Sequence, residues 1–271
     1  MRRTALLGKV FGPGLDAWTW FFAGANCGTR APPLERPLPM PLHPLLLLPG
    51  LLCDARLWRD QIASLADRAA CQVADTTQDA SLGEMALRAL AAAPPRFALA
   101  GLSMGGYLAL EIMRRAPERV THLALLDTGA RPDTEAQSRR RRGLMALTRS
   151  GQFKGVTPRL LPSLLHPAHL EGPLGFEVRA MAERVGREAF LRQQQAILYR
   201  PDSRPDLPAI AVPTLVAVGA EDQLTPPELA EEMAAAIPGA RLARVPQAGH
   251  LPPMEQPEAV TALLRDWLAG A

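Results

Sequence analysis

Phe97-Ala98-Leu99-Ala100-Gly101-Leu102-Ser103-Met104-Gly105-Gly106 joins two kinds of segment with no linker between them. Phe97–Ala100 is a short, continuous apolar run, the pattern of a strand buried on both faces. Met104–Ala116 has helical spacing and stops at Pro117. The chain must therefore turn from strand to helix within a few residues. Gly101 and Gly105 stand two before and two after Ser103, and only such small neighbours permit so tight a turn. A G-x-S-x-G placed this way holds its serine in a strained backbone conformation. The Ser103 hydroxyl then stands at the carboxyl end of the strand, where the Met104 N–H at the helix start can face a developing negative charge. The five-residue pattern alone is weak; the strand before it and the helix after it give it weight.

Outward from this turn, strands and helices alternate. Leu45–Leu48 reads as a buried strand ended by Pro49-Gly50, Leu57–Asp67 as a helix, Ala70–Ala74 as a short strand, and Leu82–Ala92 as an alanine-rich helix stopped by Pro94-Pro95. Val120–Leu126 and Thr214–Val218 read as strands, Pro227–Ala236 as a helix and Leu242–Val245 as a last short strand. The final helix starts at Pro257 and places Val260, Leu263, Leu264, Trp267 and Leu268 on one face. Such alternation predicts an α/β fold: a doubly wound, mostly parallel sheet of about six strands with helices on both sides. Residues 131–206 interrupt it with helical stretches (Glu135–Thr148, Phe176–Val185, Arg187–Tyr199) and no strand. They are expected to form an all-helical cap over a pocket, leaving 40–130 and 207–271 as the core.

The length of 271 residues suits one large α/β domain, and 48% hydrophobic with 21% charged residues excludes wholesale disorder. The net charge is only +3, and basic residues cluster only at Arg139–Arg142, so no nucleic-acid partner is expected. Cys27, Cys53 and Cys71 show no paired spacing, which argues against a disulfide framework and a zinc site. No apolar run approaches the roughly 18 residues of a membrane span. Residues 1–39 are rich in glycine and proline without a sustained period. They read as a poorly ordered extension or a mis-assigned start, with Met40 as the functional one. Lys9, Pro13 and Asp16 interrupt any signal-peptide core, so a cytoplasmic location is expected, with export as the alternative.

Two further strand ends carry polar residues. Val218-Gly219-Ala220-Glu221-Asp222 leads into Thr225-Pro226-Pro227, an acid just past a buried strand. Glu221 and Asp222 compete for that role, and capping of the next helix is the structural alternative. Gln247-Ala248-Gly249-His250-Leu251-Pro252-Pro253 follows the last strand. A lone histidine is more often structural. After an elbow serine and a strand-end acid, however, His250 reads as a base, because a hydroxyl is a poor nucleophile until a base takes its proton and a carboxylate orients that base.

In these residues the chain resembles the α/β-hydrolase superfamily, whose order along the chain is serine, acid, histidine. Gly-Leu-Ser-Met-Gly-Gly, Gly-Ala-Glu-Asp-Gln-Leu-Thr-Pro-Pro and Ala-Gly-His-Leu-Pro-Pro are similar to the elbow, acid loop and histidine loop of its small capped esterase-like members. Those members include enol-lactonases, carboxylesterases of acyl-carrier-protein methyl esters, and cofactor-free haloperoxidases. The resemblance spans about residues 42–269 and implies Asp222 as the acid. It also implies the Leu51 N–H as second oxyanion donor beside that of Met104, since Pro49-Gly50-Leu51 stands where the family usually has His-Gly-x. The proline departs from the pattern and leaves the backbone donor available. The family's first antiparallel hairpin is not evident before Leu45, hence six strands rather than eight.

The resemblance implies a serine hydrolase of a carboxylic ester, lactone or thioester of a small molecule, acting through Ser103, His250 and Asp222 with no metal or organic cofactor. Alternatives are the same triad used for perhydrolysis, C–C bond hydrolysis or acyl transfer, and a ligand-binding member without turnover. A carrier protein is an admissible partner, and no membrane partner is expected. Asp127 is an alternative acid or a loop cap, and Cys53 reads as pocket wall or core thiol. His166 and His169 read as cap surface. Arg139–Arg142 reads as a solvated face, or as an attractor of an anionic substrate or carrier. Tyr107 and Trp58 read equally as substrate contacts or core, and His43 and His122 as core-edge residues.

Overall fold

Four leucines in a row, Leu45–Leu48, are buried in β1 (His43–Leu48), as expected of a strand with no solvent face. In the computed structural model, which describes residues 42–270, this strand is flanked by β2 (Ala69–Val73) and β3 (Phe97–Leu102). The N-terminal extension and the start expected at Met40 lie outside the described residues. Beyond β3 follow β4 (Val120–Leu126), β5 (Thr214–Gly219) and β6 (Arg241–Val245), giving the order β2-β1-β3-β4-β5-β6. Every neighbouring pair is parallel. The chain winds outward from β1 to β2, then crosses back past β1 to β3, so the sheet is doubly wound. The switch lies between β1 and β3, and in open parallel sheets the crevice at the carboxyl ends there is the usual binding site.

Alternation along each strand divides the core. Leu45 and Leu47, Ala98 and Ala100, and Leu215 and Ala217 face one layer, with Trp58 and the Val260, Leu264 and Trp267 stripe of α8 (Pro257–Leu268). Leu46 and Leu48, Leu99, Leu123, Leu125, Val216 and Val218 face the other, against α2 (Leu82–Ala92), α3 (Met104–Arg115) and α6 (Pro227–Ala236). Full burial of each such leucine is worth roughly 1.5–3 kcal/mol against exposure. The edge strands β2 and β6 are half-exposed, as their mixed sequences Ala-Ala-Cys-Gln-Val and Arg-Leu-Ala-Arg-Val require.

The helix expected over Leu57–Asp67 is shorter than its apolar spacing suggests. Asp54 caps a 3-10 turn (Ala55–Trp58) by accepting the Arg56 N–H at 2.9 Å, and only α1 (Arg59–Ser64) is α-helical. The Arg68 and Ala69 N–H groups then both donate to the Leu65 carbonyl, turning the chain directly into β2. Between β4 and β5 come α4 (Glu135–Arg149), begun by a Thr134–Gln137 capping box, and α5 (Pro173–Leu198). Gly186, at φ 78° and ψ 179°, divides α5 into two runs, at the position where the sequence spacing separates two helices. Apolar residues of this segment, among them Leu161, Leu165, Met181 and Phe190, join the first core layer. Among the described residues no helix is long and apolar enough to cross a membrane.

The approach of α3 to β1 leaves no room for a side chain at Gly105, where a Cβ would overlap the Leu48 carbonyl. Gly105→Ala is therefore predicted to lower the unfolding free energy by roughly 1–3 kcal/mol, measured by urea denaturation. An unchanged midpoint would mean that helix and strand separate freely.

Candidate active site

Ser103 directly follows β3 and caps α3 with φ 55° and ψ −114°, a conformation that costs an L-residue on the order of 1–3 kcal/mol. Its backbone is held on both sides. The Ser103 N–H donates to the Leu126 carbonyl at 3.0 Å, and its own carbonyl accepts from the Gly106 and Tyr107 N–H groups and from the Thr128 hydroxyl at 2.8 Å. A Cβ on Gly101 would overlap the Gly105 backbone. The glycine spacing read from the sequence is thus a packing requirement of the turn.

The side chain of Ser103 meets the loop after β6. Ser103 Oγ lies 2.9 Å from His250 Nε2, and His250 Nδ1 lies 2.8 Å from Asp222 Oδ2, in the loop after β5. Asp222 receives three more donors: the Leu224 and Thr225 N–H groups on Oδ1 and the Thr225 hydroxyl on Oδ2 at 2.7 Å. Burial works to raise its pKa. The adjoining His250 and these hydrogen bonds outweigh burial and hold Asp222 below the usual carboxylate value. As an ionised acceptor it places the ring proton on Nδ1, so Nε2 presents a lone pair to the Ser103 hydroxyl. Glu221 instead is exposed and ties the two loops together, accepting the Ala248 N–H on its side chain at 3.1 Å.

The Leu51 and Met104 N–H groups have no hydrogen-bond partner among the described residues. Met104 is the first residue of α3, and Leu51 lies in the loop after the neighbouring β1.

Asp127 follows β4, fully buried, with φ 45°. One oxygen accepts the Gly219 N–H at 2.8 Å; the other has no partner among the described residues. Asp127, Asp222 and His250 each offer an atom within 4.8 Å of the others. The Asp222 and His250 atoms of this group are already committed to each other, to Thr225 and to Ser103, which leaves no open donor set for a metal. Burial, then the charge of Asp222, push the Asp127 carboxyl well above its ordinary value. The His250 ring contacts Asp222 rather than Asp127.

Three residues of the site were not singled out in the sequence. Glu255, buried in the short helix α7 (Pro252–Glu255), accepts the Gly249 and Leu251 N–H groups on either side of His250 and the His166 N–H of the segment between β4 and β5. Burial raises its pKa although these donors oppose the shift. An acid so close behind the histidine, in an otherwise apolar Leu251–Met254 run, is the signal that could have found it. Thr225 and Gln193 carry no such local signal.

Other expected residues take quieter places. His166 and His169 are half-buried rather than surface: the His166 N–H is drawn inward by Glu255, and their rings pack edge to face at 6.1 Å. Burial, with the charge of Asp54, pushes the Cys53 thiol up to about 12, so it is no thiolate near neutral pH. Trp58 is core. Tyr107 lies one turn after Ser103 with the Arg200 guanidinium 4.3 Å over its ring. Within Arg139–Arg142, Arg141 turns inward to Asp133 at 2.8 Å, Arg139 pairs with Glu135, and Arg140 and Arg142 are exposed.

The raised pKa of Asp127 has a consequence for stability. A carboxyl whose folded pKa is raised contributes stability that is complete below its unfolded value, near 4, and lost as pH rises through the folded value. Asp127→Asn keeps the acceptor for Gly219 and carries a permanent donor. As pH rises above about 4, the variant is predicted to lose less unfolding free energy than the wild type, by up to about 1.4 kcal/mol per pH unit. Urea titrations across that range test this; parallel curves would show that Asp127 is already ionised.

Residues 10–263 match the model of the alpha/beta hydrolase family. The chain is 31% identical over 176 residues to the pimeloyl-(acyl-carrier protein) methyl ester esterase of Neisseria meningitidis serogroup B, covering 63% of this chain and 68% of that protein. Among solved structures, a thermophilic esterase from Thermogutta terrifontis, with malate bound, superposes with a TM-score of 0.76 at 34% identity, covering 84% of this chain and 90% of that one. The enol-lactonase from Burkholderia xenovorans LB400 also reaches a TM-score of 0.76, at 23% identity and 84% and 92% coverage, a likeness of fold.

Proposed function

The chain belongs to the alpha/beta hydrolase family, and within that family we propose that it is a serine hydrolase of a carboxylic ester, lactone or thioester of a small molecule. One observation carries the reading: Ser103 Oγ, His250 and Asp222 form an unbroken line of contacts of 2.9 and 2.8 Å, while the Leu51 and Met104 N–H groups have no hydrogen-bond partner among the described residues. Ser103 attacks the carbonyl carbon while its proton passes to His250 Nε2, and Asp222 stabilises the imidazolium. The Leu51 and Met104 N–H groups hold the oxyanion. Collapse of the tetrahedral intermediate breaks the bond to the leaving alcohol or thiol, which takes the proton from His250. Water, deprotonated by His250, attacks the acyl-enzyme, and the acid departs with Ser103 restored. These residues need no metal or organic cofactor for the cycle.

We also take residues 131–206 as the cap that shapes the substrate site. Relatives named as a carrier-linked methyl ester esterase and a thermophilic esterase support ester chemistry.

A fluorophosphonate probe is expected to label Ser103, located by peptide mass spectrometry, and labelling should vanish in His250→Ala. Ser103→Ala should lower kcat on an activated ester by at least about 10³-fold while the protein stays folded. Near-full turnover by a folded Ser103→Ala would overturn the assignment.

A further inference from the structure

The loop that carries the Leu51 N–H is not held by the sheet alone. The Cys53 N–H donates to the Gly50 carbonyl at 3.1 Å, closing a four-residue turn over Gly50–Cys53. Leu52 stands third in that turn at φ 59°, a left-handed conformation that glycine adopts readily and leucine resists. Such a conformation persists only where the surroundings impose it. Here the restraint comes from α5. The Leu52 N–H donates to Gln193 Oε1 at 3.1 Å, and Gln193 is fully buried on the second run of α5, beyond Gly186. Its Nε2 donates to the Thr76 carbonyl at 3.2 Å and lies 3.4 Å from the Thr76 hydroxyl, past the end of β2.

One amide side chain therefore ties together three segments: a helix of the insertion, the loop after β1 and the loop after β2. Both ends of the amide are used, one as acceptor and one as donor, which also fixes which way it points. On the other side of Leu51, Gly50 packs against Leu102, whose side chain would lie 3.2 Å from a Cβ placed there. Leu51 is thus bracketed by a packed glycine and a tethered leucine.

We propose that Gln193 is a positioning residue for the oxyanion hole, holding the Leu52 N–H so that the turn presents the Leu51 N–H to the substrate. The proposal rests on the serine-hydrolase reading above. Oxyanion donors act over a narrow range, about 2.7–3.1 Å, and small misplacements are felt in the rate rather than in substrate binding. It follows that the helices between β4 and β5 do more than wall a pocket: one of them sets a catalytic distance in the core.

The test compares wild type, Gln193→Ala and Gln193→Glu on a short-chain p-nitrophenyl ester, with a trifluoromethyl ketone as the oxyanion-forming inhibitor. Gln193→Ala is expected to lower kcat by about 10- to 100-fold and weaken ketone binding by a similar factor, with KM changed by less than about threefold. In Gln193→Glu the protonated carboxyl can still accept from Leu52 and donate to Thr76, whereas the ionised carboxylate faces the Thr76 carbonyl with no donor. The ratio of this variant's kcat to wild type should therefore be highest in acid and fall as pH rises.

A folded Gln193→Ala with wild-type kcat and ketone affinity overturns the proposal, as does loss confined to KM. Should that variant fail to fold, Gln193→Glu decides, and a pH-independent ratio overturns it. A wild-type protein that neither hydrolyses esters nor labels at Ser103 removes the serine reading itself, and this proposal with it. Activity in the wild type without an effect at Gln193 removes the proposal alone.

Discussion

The backbone at Ser103 is the constraint around which the site is arranged. A serine at φ 55° is unfavourable by itself, so the surrounding structure has to over-determine it. Gly101 and Gly105 allow the chain to pass itself and to press α3 against the Leu48 carbonyl. The Leu126 carbonyl and the Thr128 hydroxyl then hold the peptide groups on either side of Ser103. Because both come from or just after β4, the geometry at Ser103 depends on the register of β3 against β4, which pairs Leu102 with Leu126. Strand pairing in the middle of the sheet thereby aims a side chain at its edge.

Three buried carboxyl groups near His250 illustrate how one environment pushes pKa values in different directions. Asp222 is buried, yet four contacts from His250, Thr225 and Leu224 favour its ionised form. Asp127, with one donor and a charged neighbour, is driven the other way. Glu255 also moves upward, although three backbone N–H groups oppose the shift. The number of donors matters because desolvation of an isolated carboxylate is costly and hydrogen bonds to the charged form are what offset it. A metal at Asp127, Asp222 and His250 would have to displace those hydrogen bonds.

The helices between β4 and β5 are joined to this machinery by polar ties as well as by apolar packing. The His250 N–H donates to the Leu164 carbonyl at 2.9 Å, and Glu255 binds the His166 N–H together with those of Gly249 and Leu251. On the other side Gln193 grips the loop after β1. Both the histidine loop and the Leu51 loop therefore share hydrogen bonds with the segment between β4 and β5.

Much of the fold was legible in the sequence because its signals are local. The unbroken apolar runs at Leu45–Leu48 and Phe97–Ala100 identify strands without a solvent face, and the glycines at 101 and 105 identify the turn after one of them. The prolines at 117 and 257 mark a helix end and a helix start, and Gly186 marks a break between two helical runs. Period and backbone chemistry act within a few residues, so they survive without tertiary context. The apolar spacing of Leu57–Asp67 misled because the chain had to reverse into β2, and that demand comes from the sheet. The sequence by itself determined the strand–helix order, the serine turn, and the presence of an acid and a histidine after later strands. Only the tertiary structure decided which acid meets His250, which of two neighbouring carboxyls has its pKa pushed up and which down, and that Glu255 and Gln193 reach these loops at all. The reason is separation along the chain. Ser103 and His250 lie 147 residues apart, Leu52 and Gln193 141, and Thr76 and Gln193 117. No local pattern marks such pairs; the parallel sheet creates them by delivering every carboxyl-end loop to one edge.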